Sequence, residues 1–129
     1  MAKIYTGVIA LAALVNLAPL VGVVSARRLQ ALYGIPFADP NLVVLMRHRA
    51  VLFGIVGALL LVSVFHLPTR PAAVTAGLVS MVSFVGIVFL VGDANAEIRR
   101  VMMVDVIASL LLLIWVVAAC MRRLPDRVW

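Results

Sequence analysis

The stretch "PNLVVLMRHRAVLFGIVGALLLVSVFHL" (residues 40–67) decides how the chain must be read. It is 28 residues long, and only Arg47, His48, Arg49 and His66 are basic. Asp39-Pro40 supplies a helix start, because Asp can accept from free amides and Pro fits the first helical position. At ~1.5 Å per residue a helix from Pro40 to Leu67 runs ~42 Å. A bilayer core is ~30 Å thick. The helix can therefore cross a membrane, and the Arg-His-Arg cluster falls near one surface of it. The apolar "LVVLM" before Arg47 then needs a cover, for which Leu29–Phe37 is the expected lid.

The rest of the chain agrees. Of 129 residues, 66% are apolar and 12% charged, a balance that leaves too little polar surface for a soluble domain of this size. Four runs reach the ~20 residues of a spanning helix: Ile4–Ala26, Leu45–Leu67, Ala72–Val91 and Val101–Met121. The expected fold is all-α: one integral membrane domain over 1–129, an antiparallel four-helix bundle with a short interfacial segment between spans 1 and 2. The first run exceeds the ~7–15 residues of a signal-peptide core, so it is expected to be a retained span.

Eleven basic residues oppose five acids. In a membrane chain, Arg and Lys at span ends meet lipid phosphates. No basic run is interleaved with exposed aromatics, so nucleic acid is excluded as a partner. The single Cys120 excludes an internal disulfide and CxxC chemistry. His48 and His66 stand at opposite ends of one span, and no metal motif is present, so no metal is expected. No nucleotide loop or nucleophile motif appears, and no cofactor is expected. "RHRA" and "FHLP" do not offer the paired-histidine site of a nucleotidyl transferase.

Between spans 1 and 2, Leu29, Leu32 and Tyr33 share a helical face, ended by Gly34 and Pro36. Asn16, mid-span, is expected to bond a neighbouring helix. On span 2, helical geometry sets Arg47 on one face with Ala50, Gly54, Gly57 and Ala58. That small-residue stripe predicts an inward Arg47. Arg49 falls about 200° away at ~100° per residue, with Phe53, Val56 and Leu60. It is expected to face lipid and anchor to headgroups, as is Arg99.

The second polar stretch is "GDANAEIRRVMMVD" (92–105). Asp93 or Asn95 can cap span 4, Glu97, Arg99 and Arg100 follow, and Asp105 lies about two turns deeper than Glu97. In an antiparallel bundle this end meets the start of span 2. The expected ligand-binding set is therefore Arg47, His48, Asp93, Asn95, Glu97, Arg100 and Asp105. Two readings stand side by side: an ion-pair clamp between helix ends, or a pocket for an anionic headgroup.

The run "LYGI…MRHRAVLFG…GDANAEIRRV…D" resembles small bacterial four-span inner-membrane proteins of the DoxX-like kind. That resemblance implies an inner-membrane protein, and for some relatives an accessory subunit beside redox or sulfur enzymes. The absence of a cysteine near the polar cluster sets this chain apart from direct thiol chemistry. Small multidrug exporters and fluoride channels are similar in size. Span 1 lacks the exporters' acid, and "GLVSMVSFVGIVF" lacks the channels' motif.

Three functions follow. The first is a non-enzymatic protein that binds an anionic lipid-like ligand or docks a partner subunit. The second is an enzyme on a lipid-like substrate, with His48, Glu97 and Asp105 as catalytic candidates. The third is a proton-coupled transporter using Asp105. Membrane lipids are the expected partners, and a homodimer or another membrane protein is compatible with the glycine stripes. The flanking charges are nearly balanced: Lys3, Arg70, Arg122, Arg123 and Arg127 against Arg27, Arg28, Arg47, Arg49, Arg99 and Arg100. The expected orientation sets both termini in the cytoplasm.

Overall fold

A computed structural model describes the backbone of residues 2–123 and the side chains of residues 6–121. The flanking side chains of Lys3, Arg122, Arg123 and Arg127 lie outside the described residues. All the regular secondary structure of the described residues is helical. Helix α1 (Ala2–Leu17) passes into a 3-10 segment (Ala18–Gly22). Then come α2 (Ala26–Tyr33), α3 (Pro40–Phe65), a 3-10 turn (Leu67–Thr69), α4 (Arg70–Val91) and α5 (Ala96–Arg123).

Local chemistry sets these boundaries. Pro19 lacks an amide hydrogen, and the α1 ladder tightens into 3-10 geometry around it. Within the expected span Ile4–Ala26, the α-helix therefore ends at Leu17. Helix α2 stops at Gly34, whose φ of 65° is the left-handed conformation glycine adopts without a Cβ penalty. Helix α3 starts as the Asp-Pro pair predicts, with the Asp39 carboxylate accepting from the Asn41 amide at 2.9 Å. At its far end Arg70 caps it, donating through Nε to the Ser63 carbonyl (2.9 Å) and through Nη2 to that of Val64 (3.1 Å). Helix α5 is capped by Asn95, whose Oδ1 accepts from the Ile98 amide at 2.8 Å. Asp93 is exposed and does not take that role.

Helix α1 packs on α3 and α5, α3 on α4, and α4 on α5, which closes a ring. The core inside is narrow: Ile9, Ala12, Ala13, Leu60, Ala73, Val74, Met81, Ala108 and Leu112. Small residues bring the axes close. A Cβ on Gly57 would stand 3.0 Å from the Ala13 carbonyl and 2.6 Å from the Leu17 side chain. Asn16 is buried and fastens α1 to α4, accepting from the Ser80 hydroxyl at 3.3 Å while donating to the Ala12 carbonyl at 2.9 Å.

Three helical stretches are long and apolar enough to cross a membrane: Pro40–Phe65, Leu67–Val91 and Ala96–Met121. Residues Thr6–Gly22 form a shorter apolar helix. Only 22–28% of each long apolar window is buried within the protein, and Phe89, Leu90 and Ile114 stand outward. Faces that apolar match a hydrocarbon solvent and not water, which marks the chain as a membrane protein.

Candidate functional site

A cavity of about 350 Å³ lies where α2 folds back over the ring. Every helix contributes to it: Leu14, Val15 and Asn16 from α1, Leu32 and Tyr33 from α2, Arg49 and Phe53 from α3, Phe84 from α4, and Arg100, Val101, Val104 and Asp105 from α5. Leu14 and Val104 are exposed members of the wall, so the cavity reaches the outer surface between α1 and α5.

The roof is α2. Leu29 and Tyr33, four residues apart, bury the same face, while Arg27, Arg28 and Gln30 stay outside. Leu29 seats against Gly22, where a Cβ would collide with it. Asn95 holds the other end: its Nδ2 donates to the Tyr33 carbonyl at 2.8 Å and to that of Gly34 at 3.5 Å. One side chain therefore caps α5 and clasps α2. Glu97 lies against the same turn, with Oε2 2.7 Å from where a Gly34 Cβ would be.

Arg49 is the cavity cation that packs on aromatic rings. Its Cζ lies 4.9 Å from the Phe84 ring centre, 5.0 Å from Phe53 and 5.6 Å from Tyr33. Rings at such distances attract a guanidinium through their quadrupoles without using its N–H donors. The outward Arg49 and inward Arg47 expected from the small-residue stripe are therefore reversed. Arg47 is exposed and does not line the cavity. The reason is that α3 has neighbours on two sides. Helix α1 and the 3-10 segment cover its glycines, through Leu17 and Leu20. Its Phe53–Val56–Leu60 face is also covered, Phe53 and Val56 half-buried and Leu60 completely buried, against a core that α4 and α5 share. Arg49 sits within this wide arc and Arg47 beyond its edge.

Asp105 is buried at 6% exposure and lines the cavity. Among the described residues it accepts no hydrogen bond, and no basic group comes within the 4.0 Å of an ion pair. One turn deeper, the Ser109 hydroxyl is buried and unpartnered. The Tyr33 phenol is pushed above its ordinary value of 10.0, first by burial, with the Asp105 charge adding and the Arg49 charge opposing. It stays a neutral hydrogen-bonding group across the physiological range.

The expected polar set is thus only partly assembled. Asp105 and Arg100 line the cavity, while Asn95 and Glu97 build the clasp that holds its roof. His48, Asp93 and Arg99 are exposed and outside it. The ion-pair clamp is not formed: among the described residues, none of these acids pairs with Arg47, Arg49, Arg99 or Arg100. The lid also sits differently, over Arg49, leaving Val44 and Leu45 exposed. The aromatic members Tyr33, Phe53 and Phe84 were not expected as site residues. The one local signal was Phe53, four residues after Arg49 on a helix and hence on its face. No group of three or more metal-ligating side chains occurs among the described residues.

No family model, curated protein or solved structure matches the chain.

Proposed function

We propose that this protein is a non-enzymatic, four-span membrane protein that binds a lipid-like ligand with a phosphate or carboxylate head in the cavity under α2. The observation that carries the reading is Arg49. Its guanidinium is held on three aromatic rings with its fork of donors uncommitted to any acid. A planar fork of this kind suits bidentate recognition of phosphate or carboxylate. Apolar walls reaching the outer face between α1 and α5 suit a tail. The size fits the few hundred Å³ of small-molecule sites.

Four crossings follow if α1 and its 3-10 continuation count as the first span. Sixteen residues at ~1.5 Å and five at ~2.0 Å give ~34 Å, enough for a ~30 Å core. The DoxX-like resemblance points to a bacterial inner membrane, and the flanking charges lean towards both termini in the cytoplasm. The resemblance also supports a role beside a partner subunit, and the small-residue stripes suit a second copy. His48 is exposed, so the enzyme reading has no assembled acid–base pair behind it. The transporter reading keeps one support, the buried Asp105 with the unpartnered Ser109 beneath it. Proton-linked flux in liposomes, lost in Asp105→Asn, would favour it.

The test is native mass spectrometry of the protein extracted in mild detergent. Wild type should carry a bound lipid that Arg49→Gln loses and Arg47→Gln keeps. Equal retention by all three, or none by wild type, would overturn the proposal.

A further inference from the structure

The cavity presents charges of both signs that close no ion pair with one another. Arg49 and Arg100 line it with cations, and Asp105 lines it with a carboxylate. Asp105 is more than nine-tenths buried and accepts no hydrogen bond from any described residue. Such a group is costly inside a membrane protein unless a donor reaches it. The nearby phenol of Tyr33 and guanidinium of Arg49 both lie on the cavity wall, yet neither closes a bond to it. A purely anionic headgroup would satisfy Arg49 and add repulsion at Asp105. A head with a phosphate and a protonated amine a few bonds apart would meet both.

From this juxtaposition we infer that the cavity selects a zwitterionic membrane lipid with a primary amine, its phosphate on Arg49 and its ammonium on Asp105. The inference rests on the lipid-binding reading above and specifies its ligand. The phosphate takes the donors that the three rings leave free. The ammonium supplies the missing hydrogen bonds to the carboxylate. A quaternary ammonium carries the same charge but no N–H, so it gives Asp105 no hydrogen bond. The acyl chains leave between α1 and α5, past Leu14 and Val104, whose exposed side chains face the surroundings.

The test is titration of delipidated protein in detergent with dioleoyl phosphatidylethanolamine, phosphatidylglycerol and phosphatidylcholine, read by native mass spectrometry. Hydrogen bonds to a charged group imply a preference for the ethanolamine lipid over the glycerol lipid of about tenfold or more. Asp105→Asn, close in shape, should bring that ratio to within about twofold while glycerol-lipid binding persists or rises. Arg49→Gln should weaken all three lipids. Circular dichroism and gel filtration establish that each variant is folded. Equal binding of ethanolamine and glycerol lipids, unchanged in Asp105→Asn, would overturn the inference and leave the lipid-binding reading standing. Choline lipid binding as tightly as ethanolamine lipid would overturn the primary-amine requirement. Failure of all three lipids to bind would remove both.

Discussion

Asn95 performs two tasks with one amide, and substitution separates them. Its Oδ1 caps α5 through the Ile98 amide, and its Nδ2 clasps α2 through the Tyr33 carbonyl, both at 2.8 Å. Replacing a capping Asn by Ala costs about 1 kcal/mol. Losing a part-buried amide–carbonyl bond costs about another 1 kcal/mol. Asn95→Ala should therefore destabilise the protein by roughly 2 kcal/mol. Ser caps about as well as Asn but is too short to reach Tyr33, so Asn95→Ser should lose only the clasp. Because 1.4 kcal/mol is a factor of ten, that loss should speed amide exchange across Ala26–Gly34 by roughly fivefold, with α5 protected as before. Hydrogen exchange read by mass spectrometry in detergent reports α2 and α5 separately, and chemical unfolding gives the global change. If Asn95→Ser leaves α2 exchange at the wild-type rate, the clasp does not hold the roof. If Asn95→Ser is as unstable overall as Asn95→Ala, the cap does not stabilise α5.

Other expectations concern single positions. Gly57→Ala should destabilise by about 1–3 kcal/mol through overpacking against Ala13 and Leu17. Gly86→Ala, with nothing within 4 Å of the new methyl, should stabilise by about 0.5–1 kcal/mol. Unfolding curves of the pair would check both signs. Arg49→Gln should cost about 1–2 kcal/mol as its half-buried ring contacts are lost. The exposed Arg47→Gln should stay within about 0.5 kcal/mol, and the same assay compares them. Tyr33 holds its proton more tightly folded than unfolded, so its stabilising contribution is complete below pH 10 and declines as pH rises past 10.0 towards the folded value. Tyr33→Phe should flatten that alkaline decline, measured as unfolding free energy against pH.

The sequence by itself determined the helical class, the apolar lengths and most helix ends, because these depend on neighbours along the chain. Asp39-Pro40 starts α3, Gly34 ends α2 and Asn95 starts α5 through bonds spanning a few residues. Leu29 and Tyr33 were legible as one face of a short helix for the same reason. Which arginine turns inward was not legible. The small-residue stripe on α3 marks where one neighbour, α1, approaches, but a helix with two neighbours buries a wider arc. That arc takes in Phe53, Leu60 and Arg49 and leaves Arg47 outside. The aromatic platform joins Tyr33, Phe53 and Phe84 from three helices, and no periodicity within one helix encodes such a meeting. Opposite charges at one bundle end suggested paired ions, yet only the packed backbone sets the distances between them. Tertiary structure kept Asp105 and Arg49 on a shared cavity wall without closing an ion pair between them.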